Sequence, residues 1–251
     1  MRTRELGAGA VLLLVVMMQM NAGPLLRSDP TVTCAAPEYE PRRVPERLKP
    51  LVIPEPASNL VREDEALFTA YYDAMRILGS GNQCSAFFGG SEASVTVFGN
   101  FMEGVKRAHL PASIGVKMSG DYTNVLNANT QLKYRLFKTT SVNTAGPFYQ
   151  RKGSPFSPSV FGVGSFPASS REARVLMLLH ELGHLVKGSD GNWLLPDDGF
   201  SMVDSLNNTR KVESICGDQI RELSKSGVDV ELTRQGSPEQ TVSPAAATSS
   251  Q

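Results

Sequence analysis

The pattern of this sequence is compatible with an α+β domain, and three observations carry that reading. Four segments repeat apolar residues at the helical period. One short segment alternates apolar and polar residues as a strand does. Both ends of the chain have compositions that cannot build a core, which leaves one folded region over residues 61–225.

The first helix carries Leu67, Tyr71, Ala74, Met75 and Leu78 on one face, with Gly79 as its stop. Residues 81–90 then read as a loop by composition. A second helix is expected over about residues 92–108, with Val95, Phe98, Met102 and Val105 facing inward. Leu132, Tyr134 and Leu136 alternate with Lys133 and Arg135, a short strand signature. Residues 143–168 are rich in Gly, Pro, Ser and Phe and read as irregular, with a strand near residues 160–163. The next helix begins at Ser169 or Ser170, and Ser169 and Glu172 have capping-box spacing. Its apolar positions Val175, Leu178, Leu179, Leu182 and Val186 lead to Gly188, a C-terminal stop. A last helix is expected over about residues 208–224, striped by Val212, Ile215, Cys216, Ile220 and Leu223.

The ends are of a different kind. Arg2 and Arg4 precede an uncharged apolar run over residues 8–20, and the small Ala22 and Gly23 follow. That run is short for a membrane span and suits a signal-peptide core, so residues 1–23 are expected to be an export signal. Membrane contact is expected only if this segment stays uncleaved as an anchor. Residues 24–60 contain Pro24, Pro30, Pro37, Pro41, Pro45, Pro50, Pro54 and Pro56, a density that points to an extended linker or pro-segment. Residues 226–251 drift into Ser, Thr, Gln, Pro and Ala and are expected to be a disordered tail. Export implies a secreted or periplasmic, cell-envelope location and an oxidising compartment. Cys84 and Cys216 lie in patterned segments and are expected to pair, leaving Cys34 over. Lys plus Arg and Asp plus Glu each number 25, so no electrostatic footprint for nucleic acid exists and no such partner is expected.

The chemistry concentrates in one segment. His180-Glu181-Leu182-Gly183-His184 matches H-E-x-x-H. Residues at i and i+4 share a helix face, so both imidazoles can reach one ion. Zinc favours imidazole nitrogen, and a catalytic site keeps one position open for water. Bound zinc lowers the pKa of that water, and the adjacent Glu181 can take its proton. The flanks Met177, Leu178, Leu179, Leu185 and Val186 are uncharged, as a helix sunk in a core requires. Two of the chain's three histidines sit here.

This stretch resembles the active-site helix of the zincin metallopeptidases. The resemblance implies an α+β domain with a small mixed sheet and the active-site helix behind it. It implies that His180 and His184 bind Zn2+ and that Glu181 is the general base. The third ligand divides the subfamilies. Glu213, on the edge of the last helix's apolar stripe, resembles the gluzincin arrangement and is the expected ligand. Asp198 or Asp197, in Pro-Asp-Asp-Gly, resembles the aspzincin arrangement and comes next. Asp190 holds the metzincin position, but that pattern needs Gly where this chain has Lys187. His109 reads as a surface or helix-end residue. Tyr134 and Tyr149 are candidate hydrogen-bond donors to a transition-state oxyanion.

The function expected on these grounds is an exported zinc peptidase acting on a peptide or protein substrate. Peptide deformylases also carry H-E-x-x-H, with an upstream cysteine ligand. Gln83-Cys84-Ser85 echoes that segment only faintly, and an export signal does not suit that task. The non-enzymatic alternative is a cell-envelope binding or structural protein with a non-catalytic metal site. Structural zinc sites fill all four positions with protein ligands.

Overall fold

The computed structural model describes residues 53–153, 155, 160–199 and 201–225. The expected export signal, residues 24–52 with Cys34, and the expected C-terminal tail lie outside them. The described residues form six helices and a three-stranded mixed sheet, an α+β fold. Among them no helix is long and apolar enough to cross a membrane.

Folded structure begins ahead of residue 61. Pro56 is buried, the Tyr71 hydroxyl donates to the Pro54 carbonyl at 3.0 Å, and helix α1 spans Asn59–Glu63. Asp64 then caps α2 (Glu65–Gly79), accepting from the Leu67 amide at 3.0 Å. The expected face of α2 is buried, and the helix stops at Gly79.

Two expectations need correction in the next stretch. Residues 81–90 are not all loop, because α3 spans Gln83–Phe87. Asn82 caps it by accepting from the Ser85 amide at 2.9 Å. Five residues are too few to display a helical period. The second long helix, α4, spans Ser91–Glu103 and does not reach residue 108. Gly104 ends it, and Val105–Ala108 become strand β1, parallel to β3. A helical stripe read through Val105 therefore crossed a real boundary.

The sheet order is β1-β3-β2. The short strand expected at residues 132–136 is the first half of β3 (Lys133–Asn143). Its antiparallel neighbour β2 (Val116–Leu126) was not anticipated. Most of β2 is exposed, so it lacks the alternation that marks a half-buried strand. A register shift between Ser119 and Tyr122 adds a bulge, where Gly120 takes φ +83°. Near residues 160–163 there is only an isolated bridge, Val163 to Phe166.

Helix α5 (Arg171–Leu185) is capped by Ser170, whose hydroxyl accepts from the Ala173 amide at 3.1 Å. Ser169 lies outside the helix at φ +60°. The helix packs against α2, α4, α6 and the sheet. Val175, Leu176, Leu178, Leu179 and Leu182 are fully buried. Arg171 forks onto the buried Asp73 of α2 at 2.5 and 2.7 Å. Helix α6 spans Met202–Lys225 and starts earlier than its apolar stripe. The expected disulfide is present, Cys84 of α3 to Cys216 of α6, and it fits an oxidising compartment.

That bond joins residues 132 apart, so it restricts the unfolded chain strongly. Replacing both cysteines with alanine is expected to lower the unfolding free energy by about 2–5 kcal/mol. Urea titration of the variant and of the reduced wild type checks this, and the two should agree.

Candidate metal centre

His180 and His184 project from the last two turns of α5, and both are buried. Their Nε2 atoms face each other at 3.0 Å. Asp198 completes a triangle: its Oδ2 lies 3.0 Å from His180 Nε2 and its Oδ1 lies 3.6 Å from His184 Nε2. Among the described residues this is the one His/Cys/Asp/Glu group spaced to hold a metal ion. Ligand atoms at tetrahedral corners about 2.0–2.1 Å from an ion stand about 3.3 Å apart, close to these separations.

The donor set fits the same reading. One proton between two facing imidazole nitrogens satisfies that pair, but a third lone pair, from a carboxylate, then points at the same space. A cation satisfies all three at once. The partners around the triangle orient it. With Nδ1–H donated to Thr209 Oγ1 at 3.0 Å, His180 keeps its Nε2 lone pair free for the centre. Asn208 Nδ2 donates to Asp198 Oδ1 and, at 2.9 Å, to the Pro196 carbonyl. His184 Nδ1 is buried without a hydrogen-bond partner.

Asp198 reaches the histidines because of how α5 ends. The last carbonyls of a helix have no partner within it. Here the Gly183 carbonyl accepts from the Leu195 amide at 3.0 Å, and the His184 carbonyl accepts from Arg135 Nε at 2.8 Å. Val186 leaves the helix to bridge Tyr134 of β3, so α5 stops at Leu185 and not at Gly188. The loop lies so close that a Cβ on Gly183 would meet Leu195 Cγ and Cδ1 at 2.6 Å. The wildcard position before His184 therefore has a packing role.

Charge couples the group. Burial alone would raise the Asp198 carboxyl, but hydrogen bonds from His180, His184 and Asn208 hold it far below the ordinary carboxylate range. Burial alone would lower the His184 pKa. The hydrogen bond with Asp198 and the charges of Glu181, Asp198 and Asp197 outweigh it and raise it. Burial drives the Glu181 carboxyl up, against the two imidazoles and with the repulsion of Asp198.

Compared with protein-family models, curated proteins and solved structures, the chain matches none. The geometry alone sorts the candidates. Glu213, the expected third ligand, is not brought to the histidines. It does border the buried face of α6, but its carboxylate accepts from the Ser165 amide at 3.1 and 3.2 Å and from the Ser165 hydroxyl. Asp190 is exposed and closes a turn onto Asn192. Asp197 turns away from Asp198 to pair with Arg135. The Tyr149 hydroxyl donates to Asp64 at 2.6 Å, so that candidate donor is engaged elsewhere, whereas the Tyr134 hydroxyl accepts from Asn100 Nδ2 at 2.9 Å. His109 is exposed after β1, as expected. A groove lined by Arg151, Lys152, Ser165 and Ser170 lies at the other end of α5, about 15 Å of helix from His180.

The sequence reading missed Thr209 and Asn208, yet Thr209 carried a signal. It sits three residues before Val212 and seven before Cys216, a polar residue on the apolar stripe.

Three outcomes follow from this geometry. Gly183→Ala should push Leu195 and the Asp198 loop outward, lowering metal affinity at least about tenfold, which isothermal titration reads. Metal-free protein should also respond to pH. The contribution of the raised His184 is full below pH 6.5 and fades as pH rises through its folded pKa. That of the depressed Asp198 is present above pH 3.8 and fades as pH falls through its folded value. Thermal unfolding after chelation should show this support between those limits and its loss on the alkaline side. Metal affinity should run oppositely, rising with pH as the imidazoles give up protons.

Proposed function

We propose that this protein is an exported zinc-dependent peptidase of the zincin type, with His180, His184 and Asp198 as its metal ligands and Glu181 as general base. The convergence of two imidazole Nε2 atoms and one carboxylate at ion-fitting separations, beside the half-buried Glu181, carries the reading. It makes the arrangement aspzincin-like, not gluzincin-like. Zinc is the favoured metal because the donors are two imidazoles and one carboxylate, and three protein ligands leave a position for water. Bound zinc supplies Lewis acidity and an acidified water.

The residues have separate tasks. Glu181 accepts the proton of the attacking water at its carboxylate and delivers it to the leaving amine nitrogen. A carboxyl pKa raised by burial suits both halves of that task near neutral pH. Thr209 holds the His180 ring, and Asn208 holds Asp198. Export to an oxidising compartment is supported by the Cys84–Cys216 bond and by the signal-like start of the chain.

Metal analysis of the purified chain tests the reading. Wild type should hold about one zinc per chain, as should Glu213→Ala, whereas His180→Ala and Asp198→Ala should not. Glu181→Gln should keep zinc but lose at least about a hundredfold in peptide hydrolysis. Wild type that stays metal-free after zinc is offered would sink the proposal. Zinc retained with no open coordination position would favour a structural site.

A further inference from the structure

Among the described residues Arg135 is the only buried arginine or lysine. As part of an alternating strand it would be expected on the polar face of β3, but its side chain is 3% exposed. A buried guanidinium is tolerated only when it is paired and hydrogen-bonded. Its partners all belong to the surroundings of the metal centre. Nε donates to the carbonyl of His184 at 2.8 Å. Nη1 lies 3.5 Å from Asp197 Oδ2, and Nη2 donates to Asp197 Oδ1.

The planar group is also fenced by rings. Its central carbon lies 4.2 Å from the Trp193 centroid, 5.1 Å from Phe137 and 5.4 Å from Tyr122. One end grips the backbone of a histidine ligand, and the other grips the neighbour of the carboxylate ligand. Asp197 is itself 66% exposed, and it pairs with the buried Arg135 although water is open to it.

We propose that Arg135 is a positioning residue of the metal centre, setting the distance between His184 and Asp198 by holding the His184 carbonyl and the Asp197 carboxylate on one rigid fork. The inference rests on the reading that His180, His184 and Asp198 hold a metal. Lysine, a point donor, cannot span both partners. Asparagine at position 197 keeps the volume but removes the charge that orients the fork.

The test uses zinc and cobalt(II) on the full chain. Arg135→Lys should lower zinc affinity by about 10–100-fold and Asp197→Asn by about tenfold. The visible cobalt absorption of both should shift, because the ligand geometry changes. Val61→Ala, a core truncation in α1, serves as a control that lowers stability without moving either readout. If Arg135→Lys does not fold, Asp197→Asn decides, since its side chain is exposed. Wild-type zinc affinity and an unchanged cobalt spectrum in the variants would make Arg135 an ordinary structural arginine and overturn the inference. A wild type that binds neither metal overturns the metal reading itself, and with it this inference, and is recognised as such before any variant is compared.

Discussion

The way α5 ends governs the rest of this structure. A helix buried on most sides cannot leave its last carbonyls to water. A glycine cap in the left-handed conformation would have satisfied them locally. This helix stops three residues earlier and takes its partners from elsewhere: the Leu195 amide for Gly183 and the Arg135 side chain for His184. Satisfying those two carbonyls draws residues 193–198 and β3 against the helix end. The same act delivers Asp198 to the two imidazoles, so the end of the helix and the candidate metal group are one construction.

The other wall is α6. It brings Thr209 to His180 and Asn208 to Asp198, and it is tied two turns further on to α3 through Cys216. Orientation from outside the ligand set matters because an imidazole binds metal only through a free nitrogen, and a carboxylate can rotate. The arrangement places the three donors and the groups that orient them on three elements: α5, the loop after it, and α6. Small relative movements of these elements would open the triangle, which is why a disulfide at α6 and an arginine fork at the loop are physically apt. Glu213, which looked like a ligand, serves instead to hold residues 164–165 to α6.

Much of this was legible in the order of residues. The H-E-x-x-H helix, the stripes of α2 and α6, and the pairing of two cysteines in patterned segments are local or periodic properties. Periodicity and composition report these directly. What was not legible falls into two kinds. Short or exposed elements, α3 and β2, lack enough buried positions to show a period. Boundaries such as Gly104 and Leu185 depend on partners that the local sequence does not contain. The third member of the candidate metal group belongs to the second kind. Glu213, Asp198, Asp197 and Asp190 are all carboxylates at permissible distances along the chain, and nothing in their neighbours ranks them by position in space. The sequence by itself determined the two histidines, the glutamate beside them and the helix that carries them, because their spacing is the pitch of that helix. Only the tertiary structure decided that Asp198 joins them, because that depends on how close Gly183 lets the following loop approach and on where Arg135 pins it.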